Sequence, residues 1–170
     1  MTARKLSAIA ALALDGKAAP ALLDSLDIDP VRWPTHSVLD WLTVLEHVQV
    51  PGRAQRQQEA WHILRNRLAY QGTQVGFSTD AQDHWWWLMQ GPDVNAARLL
   101  LATIGQAEWD AERPRLVTGL LARQKSGAWA TTTANLWAGL ALRQFSSIYE
   151  RDPVSGDTTA MLNATTHTLD

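Results

Sequence analysis

The segment from Arg113 to Tyr149 constrains the fold more than any other part of the sequence. Pro114 is typical of the first turn of a helix, Gly127 marks a tight connection, and the threonines at 131–133 can cap a second helix. On that second helix, apolar residues recur at steps of three and four, so they share one face that must be buried. The residues of this face are Trp137, Leu140, Ala141, Phe145 and Ile148. The segment therefore predicts a helical hairpin.

Most of the chain repeats this design. Residues 35–50, 53–70 and 93–104 each place apolar side chains on one side of a helix. The first fourteen residues fit two interpretations, a signal peptide or an amphipathic helix. We favour the helix, because Asp15 and Lys17 follow closely on a weak apolar run. The buried face of this helix would consist of Leu6, Ile9, Ala10 and Ala13.

Beyond Asp152 the composition changes, since residues 153–170 are rich in threonine and favour a strand that has no evident partner. We expect residues 1–152 to be a helical domain fragment, and residues 153–170 to be a linker and the first strand of a following β-rich domain. The chain would then be a piece of a larger protein. The fold class predicted is all-α: an α/α toroid or solenoid of helical hairpins with a short C-terminal β-like tail.

Tryptophan is unusually frequent, with nine residues against two phenylalanines and two tyrosines. Three of them, Trp85, Trp86 and Trp87, follow His84 in residues 71–90, the least regular stretch, which we predict to be a loop. Indoles suit helix interfaces and also binding surfaces for proteins or sugars. We therefore take His84 and the three tryptophans as a candidate interdomain or binding surface.

Charge and cysteine content exclude several classes of function. The formal charge is -2, from 15 basic and 17 acidic side chains without a basic block, which disfavours nucleic acid and anionic membranes as partners. No stretch approaches the length of a membrane span. The chain has no cysteine, which removes disulfides, thiolate metal sites and a cysteine nucleophile. The histidines have no zinc-binding spacing, so we expect neither a metal site nor another cofactor.

Two passages resemble a known family. The residues from Gln124 to Trp129, followed by TTTANLWAGLAL, resemble the Gly-x-Trp-x-x-Thr-x-x-(Asn)-x-x-Ala-x-x-Ala-Leu element in the thioester-type helical domain of bacterial α2-macroglobulins. The preceding HWWWLMQGPDVNAARLLLATIG resembles the Trp-rich loop and helix of the same domain. The motif residues, for which we expect a structural role, are Gln124, Gly127, Trp129, Thr132, Asn135 and Trp137.

The resemblance implies a non-enzymatic part of a broad-spectrum protease trap, which confines a protease by rearranging its domains after a bait region is cut. Its partners would be neighbouring macroglobulin domains and target proteases, and the location would be the periplasm, with an inner-membrane anchor elsewhere in the parent as an option. Many members carry a Cys-x-Glu-Gln thioester that captures the protease covalently. This sequence departs from that pattern because it contains no cysteine, so no residue of this chain can form the thioester or carry its covalent chemistry.

Two alternatives stay open. The first is a toroid enzyme of the terpenoid cyclase or polysaccharide-degrading type, in which acidic side chains would protonate the substrate and indoles could stack on sugar rings. Its candidate acids are Asp27, Asp29, Asp80 and Asp83. The second is a helical scaffold without a trapping role. The resemblance to thioester proteins, in which a histidine can assist acyl transfer, would make His84 the first choice for that role, although the chain has no cysteine.

Overall fold

The computed structural model describes residues 2–150, 158–162 and 165–169. The helices in these ranges are α1 (Thr2–Leu14), α2 (Thr35–His47), α3 (Arg53–Asn66), α4 (Pro92–Thr103), α5 (Arg113–Leu121) and α6 (Thr132–Tyr149). The strands are β1 (Leu68–Gln71), β2 (Gln74–Phe77), β3 (Thr158–Leu162) and β4 (Thr165–Leu169). Short 3-10 turns cover Pro20–Ser25, Trp86–Leu88 and Ala107–Trp109.

Helix α4 is the centre of the helical part. It packs against α5 and α6 and also contacts α2, while α2 packs between α1 and α3. Every residue of α4 from Val94 to Leu100 is buried, which is typical of a helix surrounded by other elements. The helices share one hydrophobic core, in which the indoles of Trp41 and Trp109 are fully buried.

The sequence predicted α1 correctly. The chain is helical from Thr2 to Leu14, and the buried residues are the four expected, Leu6, Ile9, Ala10 and Ala13. They pack against α2, because apolar residues three and four apart lie on the same side of a helix. The predicted apolar stripe of α2 is likewise buried, with Val38, Trp41, Leu42, Leu45 and Val48 all in the core.

The all-α prediction of a toroid or solenoid built from repeated helical hairpins is wrong, because a β-hairpin interrupts the helices. Helix α3 ends at Asn66 instead of continuing to residue 70. Strand β1 forms where the end of that helix was predicted, and it pairs antiparallel with β2, which lies in the predicted loop. A two-residue turn joins the strands, and its Gly72 adopts a φ of 58°, which favours glycine. Val75 and Phe77 alternate with their neighbours and point into the core. This alternation of buried and more exposed residues is typical of a strand, and the sequence prediction missed it.

The buried face of α6 also differs from the prediction. Ala134, Ala138 and Ala141 are its buried residues, whereas Leu140 and Ile148 are exposed. Small side chains allow α6 to approach α4 closely. Of the predicted face, Ala141 is buried and Trp137 and Phe145 are half-buried against the core, whereas Leu140 and Ile148 are left on the surface.

The C-terminal tail contains two strands, not one. Strand β3 pairs antiparallel with β4, with Thr158 opposite Leu169 and Leu162 opposite Thr165. The strand expected to lack a partner therefore has one within the tail itself. The remaining residues of the predicted linker and tail lie outside the described residues.

Strand β2 approaches α5 so closely that the contact requires a glycine. A Cβ atom added to Gly119 would lie 2.1 Å from the backbone oxygen of Val75. We expect Gly119→Ala to lower the free energy of unfolding by about 2–3 kcal/mol, because either the strand or the helix must shift. Urea unfolding measures this change.

Gly139→Ala is the matched control in α6, since a Cβ there meets no atom within 4 Å. It should raise the free energy of unfolding by about 0.5–1 kcal/mol, because alanine loses less backbone entropy in a helix than glycine. Equal stability of the two variants would contradict the packing of β2 on α5.

Candidate functional site

The Trp-rich loop presents its side chains outward because of its backbone geometry. Trp85 forms an isolated bridge with Gln90, and the residues between them make a single 3-10 turn. Met89 closes the turn in the left-handed region, with a φ of 54°. As a result Trp86 is 77% exposed, Met89 70% and Trp87 51%. We call these three residues the aromatic surface.

The indoles of this loop contact one another. The ring centroids of Trp86 and Trp87 lie 5.7 Å apart and nearly perpendicular, and those of Trp87 and Trp85 lie 5.3 Å apart. Trp85 is half-buried and makes a T-shaped contact with His36 at 5.5 Å. Edge-to-face pairs of this kind fix the relative orientation of the rings. The aromatic surface is therefore supported from the core through Trp85.

A groove of about 700 Å³ runs beside the aromatic surface, between the loop and the first turns of α4 and α6. Its lining includes Asp80, His84, Trp86, Met89, Asp93 and Thr132. Arg123 forms ion pairs with Asp80 and, at 3.5 Å, with Asp93, and so joins the two walls. The groove thus combines an apolar rim with charges that are largely paired within the chain.

The start of the loop is bound to α2 by hydroxyl contacts. The Thr79 Oγ1 donates to Asp83 Oδ2 at 2.7 Å and lies 2.8 Å from Thr35 Oγ1 in the first turn of α2. Arg67 donates to the same Thr35 hydroxyl at 3.4 Å and to the Trp33 carbonyl at 2.8 Å. These bonds hold the loop on the N-terminal end of α2.

A buried polar layer lies between α2 and α4 below the loop. Asp40 accepts from Arg98 at 2.7 Å and from Ser7 at 2.5 Å, and both members of the ion pair are nearly inaccessible to water. The guanidinium of Arg98 also lies 5.3 Å from the centroid of Trp137, within the range of cation–π attraction. Removing either charge would leave the other buried without an opposite charge, which is strongly unfavourable.

His36 belongs to the same layer, one helical turn before Asp40. Its side chain is 0% exposed, and neither ring nitrogen has a hydrogen-bond partner among the described residues. Burial lowers the pKa of His36 below its ordinary value; Asp40 and Asp83 oppose this effect, whereas Arg98 adds to it. The imidazole is therefore neutral at pH 7.

This layer was not predicted from the sequence. The available signal was the spacing of His36 and Asp40 at i and i+4, which places two polar side chains on one side of a helix. Only the contact of α2 with α4 brings Arg98 to Asp40.

The motif residues that carry the family resemblance hold the connection between α5 and α6. The indole N–H of Trp129 donates to the Leu120 carbonyl at 2.9 Å, and Gly127 adopts a φ of 81° in the turn. Asn135 donates to the carbonyl oxygens of Trp129 and Thr131 at 2.8 and 2.7 Å and accepts from the Trp129 N–H at 3.2 Å.

The side chains of the other motif residues make no hydrogen bond, within the described ranges, to the turn between α5 and α6. Thr131, and not Thr132, caps α6 by accepting from the Ala134 N–H. Thr132 is exposed, Gln124 is half-buried beside the turn, and Trp137 lies over Arg98. The structural role expected of this motif thus has a physical basis in Gly127, Trp129 and Asn135.

The candidate acids of the enzyme alternative are not brought together. Asp29 pairs with Arg32 at 3.2 Å and lines a separate cavity of about 520 Å³, while Asp27 is exposed. Asp80 and Asp83 lie near the groove but are bonded to Arg123 and Thr79. His84 is exposed on the groove wall.

Within the described residues, no group of three or more His, Asp or Glu side chains is arranged to hold a metal ion. None of the described helices combines the length and apolar character needed to cross a membrane. Comparisons with protein-family models, with curated proteins and with solved structures find no match to this chain. The resemblance to α2-macroglobulins therefore stays a prediction from the motifs alone.

The buried ion pair yields a test of the polar layer. Arg98→Met should lower the free energy of unfolding by about 3–5 kcal/mol, because Asp40 is left charged and unpaired in the core. The double variant Asp40→Leu/Arg98→Met removes both charges and should recover much of that loss. Urea unfolding of the wild type, both single variants and the double variant gives the coupling energy. Additive effects of the two substitutions would contradict the pairing.

A second test concerns the motif. Asn135→Ala should lower the free energy of unfolding by about 2–3 kcal/mol, since three hydrogen bonds to backbone groups are lost. Thr132→Ala, three residues earlier on the exposed start of α6, should change it by less than about 0.5 kcal/mol. Thermal unfolding distinguishes the two, and equal effects would show that the motif does not act through Asn135.

Proposed function

We propose that this chain is a non-catalytic docking module of a protease inhibitor of the α2-macroglobulin type, and that its aromatic surface binds a neighbouring domain of the same protein. The observation that carries the proposal is the exposure of Trp86, Trp87 and Met89 on a loop held in a fixed geometry. Exposed clusters of large apolar side chains mark interaction sites on folded proteins.

The aromatic surface has the properties of a binding hot spot. Tryptophan is enriched among the residues that dominate binding energy, because a buried indole covers a large area at a low cost in side-chain entropy. The contacts of Trp85 with His36 and Trp87, and the bonds from Thr79 to α2, hold the loop before any partner arrives. A preformed surface loses less entropy on association than a flexible one.

The assignment to a protease trap rests on the motifs. The segment from Gly127 to Leu142 fits the family element at each position that the element specifies, and the Trp-rich loop precedes it in the expected order. In such a trap, cleavage of the bait would release a docked domain. The docking contact must therefore hold the two domains together before cleavage and still be weak enough to dissociate afterwards. A small aromatic patch suits this requirement. Periplasmic location and capture of target proteases are parts of the same proposal.

A non-catalytic role is favoured by the state of the polar groups. The carboxylates closest to the groove are paired with Arg123 or bonded to Thr79. The buried Asp40 is committed to Arg98 and Ser7. A general acid or base must be able to reach its substrate, and these groups are occupied by structural contacts.

The test uses the full gene product that contains this chain. Trp86→Ser/Trp87→Ser removes the exposed indoles but keeps Trp85, which packs against the core. We expect domain docking to weaken by at least about thirty-fold, the equivalent of a hot-spot loss of about 2 kcal/mol. Trapping is measured by adding trypsin and comparing cleavage of a large protein substrate with cleavage of a small peptide, before and after the substitution.

Leu136→Ser is the control, since Leu136 is 71% exposed on α6, outside the residues that line the groove. Protection of the large substrate should persist in the control and decrease in the tryptophan variant. Unchanged protection in the tryptophan variant would refute docking through this surface. Absence of protection in the wild type would refute the trap itself and favour a scaffold.

A further inference from the structure

His36 connects the buried polar layer to the aromatic surface. Its ring contacts Trp85 at 5.5 Å, Trp85 contacts Trp87 at 5.3 Å, and Trp87 contacts Trp86 at 5.7 Å. A continuous series of ring contacts therefore runs from a fully buried imidazole to the most exposed indole of the loop. Any displacement of Trp85 from His36 disturbs the support of the aromatic surface.

The surroundings of His36 favour the neutral ring, because burial lowers the pKa of this histidine. An imidazolium carries two N–H donors, and each needs an acceptor when it is buried. The charged groups that face His36 are Asp40 on its own helix, Arg98 on α4 and Asp83 in the loop. In the described part of the chain, neither ring nitrogen has a hydrogen-bond partner, and the two carboxylates are bonded to Arg98, Ser7 and Thr79 instead. Arg98 repels a second positive charge.

We propose that protonation of His36 favours opening of the Trp85 loop, so that the aromatic surface is assembled at neutral pH and less often assembled in acid. Helices α2 and α4 are core elements, whereas Trp85 belongs to a short loop and is only half-buried. Movement of the loop is therefore the smallest change that admits water to the imidazole. Water then satisfies both N–H groups of the charged ring.

The size of the effect follows from the ordinary pKa of histidine. In the open form the ring is hydrated and can take up the proton at the ordinary pKa of a histidine, about 6.5, whereas burial lowers the pKa of His36 in the closed form. Below that pH the ratio of open to closed forms rises by up to about tenfold for each pH unit. Between pH 6.5 and pH 4.5 the ratio therefore rises by up to about fifty-fold. The sign is that of a buried neutral histidine: the closed form is favoured at high pH and loses that advantage as the pH falls.

The experiment measures amide hydrogen exchange of residues 84–90 in this chain at pH 6.5 and pH 4.5, with each rate divided by the rate expected for an unstructured peptide at that pH. In the wild type the corrected opening should increase, by up to about fifty-fold. In His36→Gln it should be the same at both pH values. His84→Gln, which removes an exposed histidine of the same loop, should behave like the wild type.

A second measurement keeps the test decisive if His36→Gln does not fold. The titration of the His36 ring is followed by NMR in the wild type together with the indole N–H signal of Trp85. We expect the ring to take up its proton only together with a change in the Trp85 signal. Protonation of His36 at its ordinary pKa with an unchanged Trp85 signal, or equal corrected opening at both pH values, would overturn the proposal.

The consequence for docking rests on the proposed function, whereas the response of the loop does not. Loss of domain docking at pH 4.5 in the wild type but not in His36→Gln supports both. A second outcome is that the loop opens as expected while Trp86→Ser/Trp87→Ser leaves docking unchanged at neutral pH. That result would refute docking through the aromatic surface and would support the opening of the loop on protonation of His36.

Discussion

Asp40 and Arg98 form an ion pair in the interior, and the arrangement of four helices depends on it. The carboxylate on α2 also accepts from Ser7 of α1, and the guanidinium on α4 lies against Trp137 of α6. Each charge is tolerable in the core only beside the other, so a packing of the helices that separated them would be less stable by about 3–5 kcal/mol. The apolar faces provide most of the driving force for folding, and the ion pair restricts how those faces can combine.

The buried polar layer that contains this ion pair also supports the exposed indoles of the aromatic surface. His36 lies one turn before Asp40 and supports Trp85, and Trp85 in turn supports the indoles that face solvent. The hydroxyl contacts of Thr79 fix the other end of the loop on α2. The aromatic surface is therefore an extension of the core and not an independent flexible loop, which is the physical basis for proposing that it docks a partner without a large loss of entropy.

The motif that resembles an element of α2-macroglobulins has a local explanation. Trp129 and Asn135 satisfy backbone groups that the turn between α5 and α6 would otherwise leave without partners, and Gly127 supplies the positive φ that this turn requires. A motif of this kind stabilises a helical connection in any protein that uses it. It therefore identifies a local structure directly, whereas the protease-trap function is reached only through the resemblance and its experimental test.

The sequence by itself determined most helices and several of their buried faces, because apolar spacing and caps such as Thr131 act within one element. It also identified the Trp-rich stretch as a candidate surface. Tertiary structure decided the rest: the β1–β2 hairpin forms where Val75 and Phe77 can reach α5, and α6 buries its alanines because they permit close approach to α4. The pairing of Asp40 with Arg98, and the place of His36 beneath Trp85, join residues 58 and 49 positions apart. Contacts over such distances leave no periodic signal along the chain, so only the packed structure reveals them.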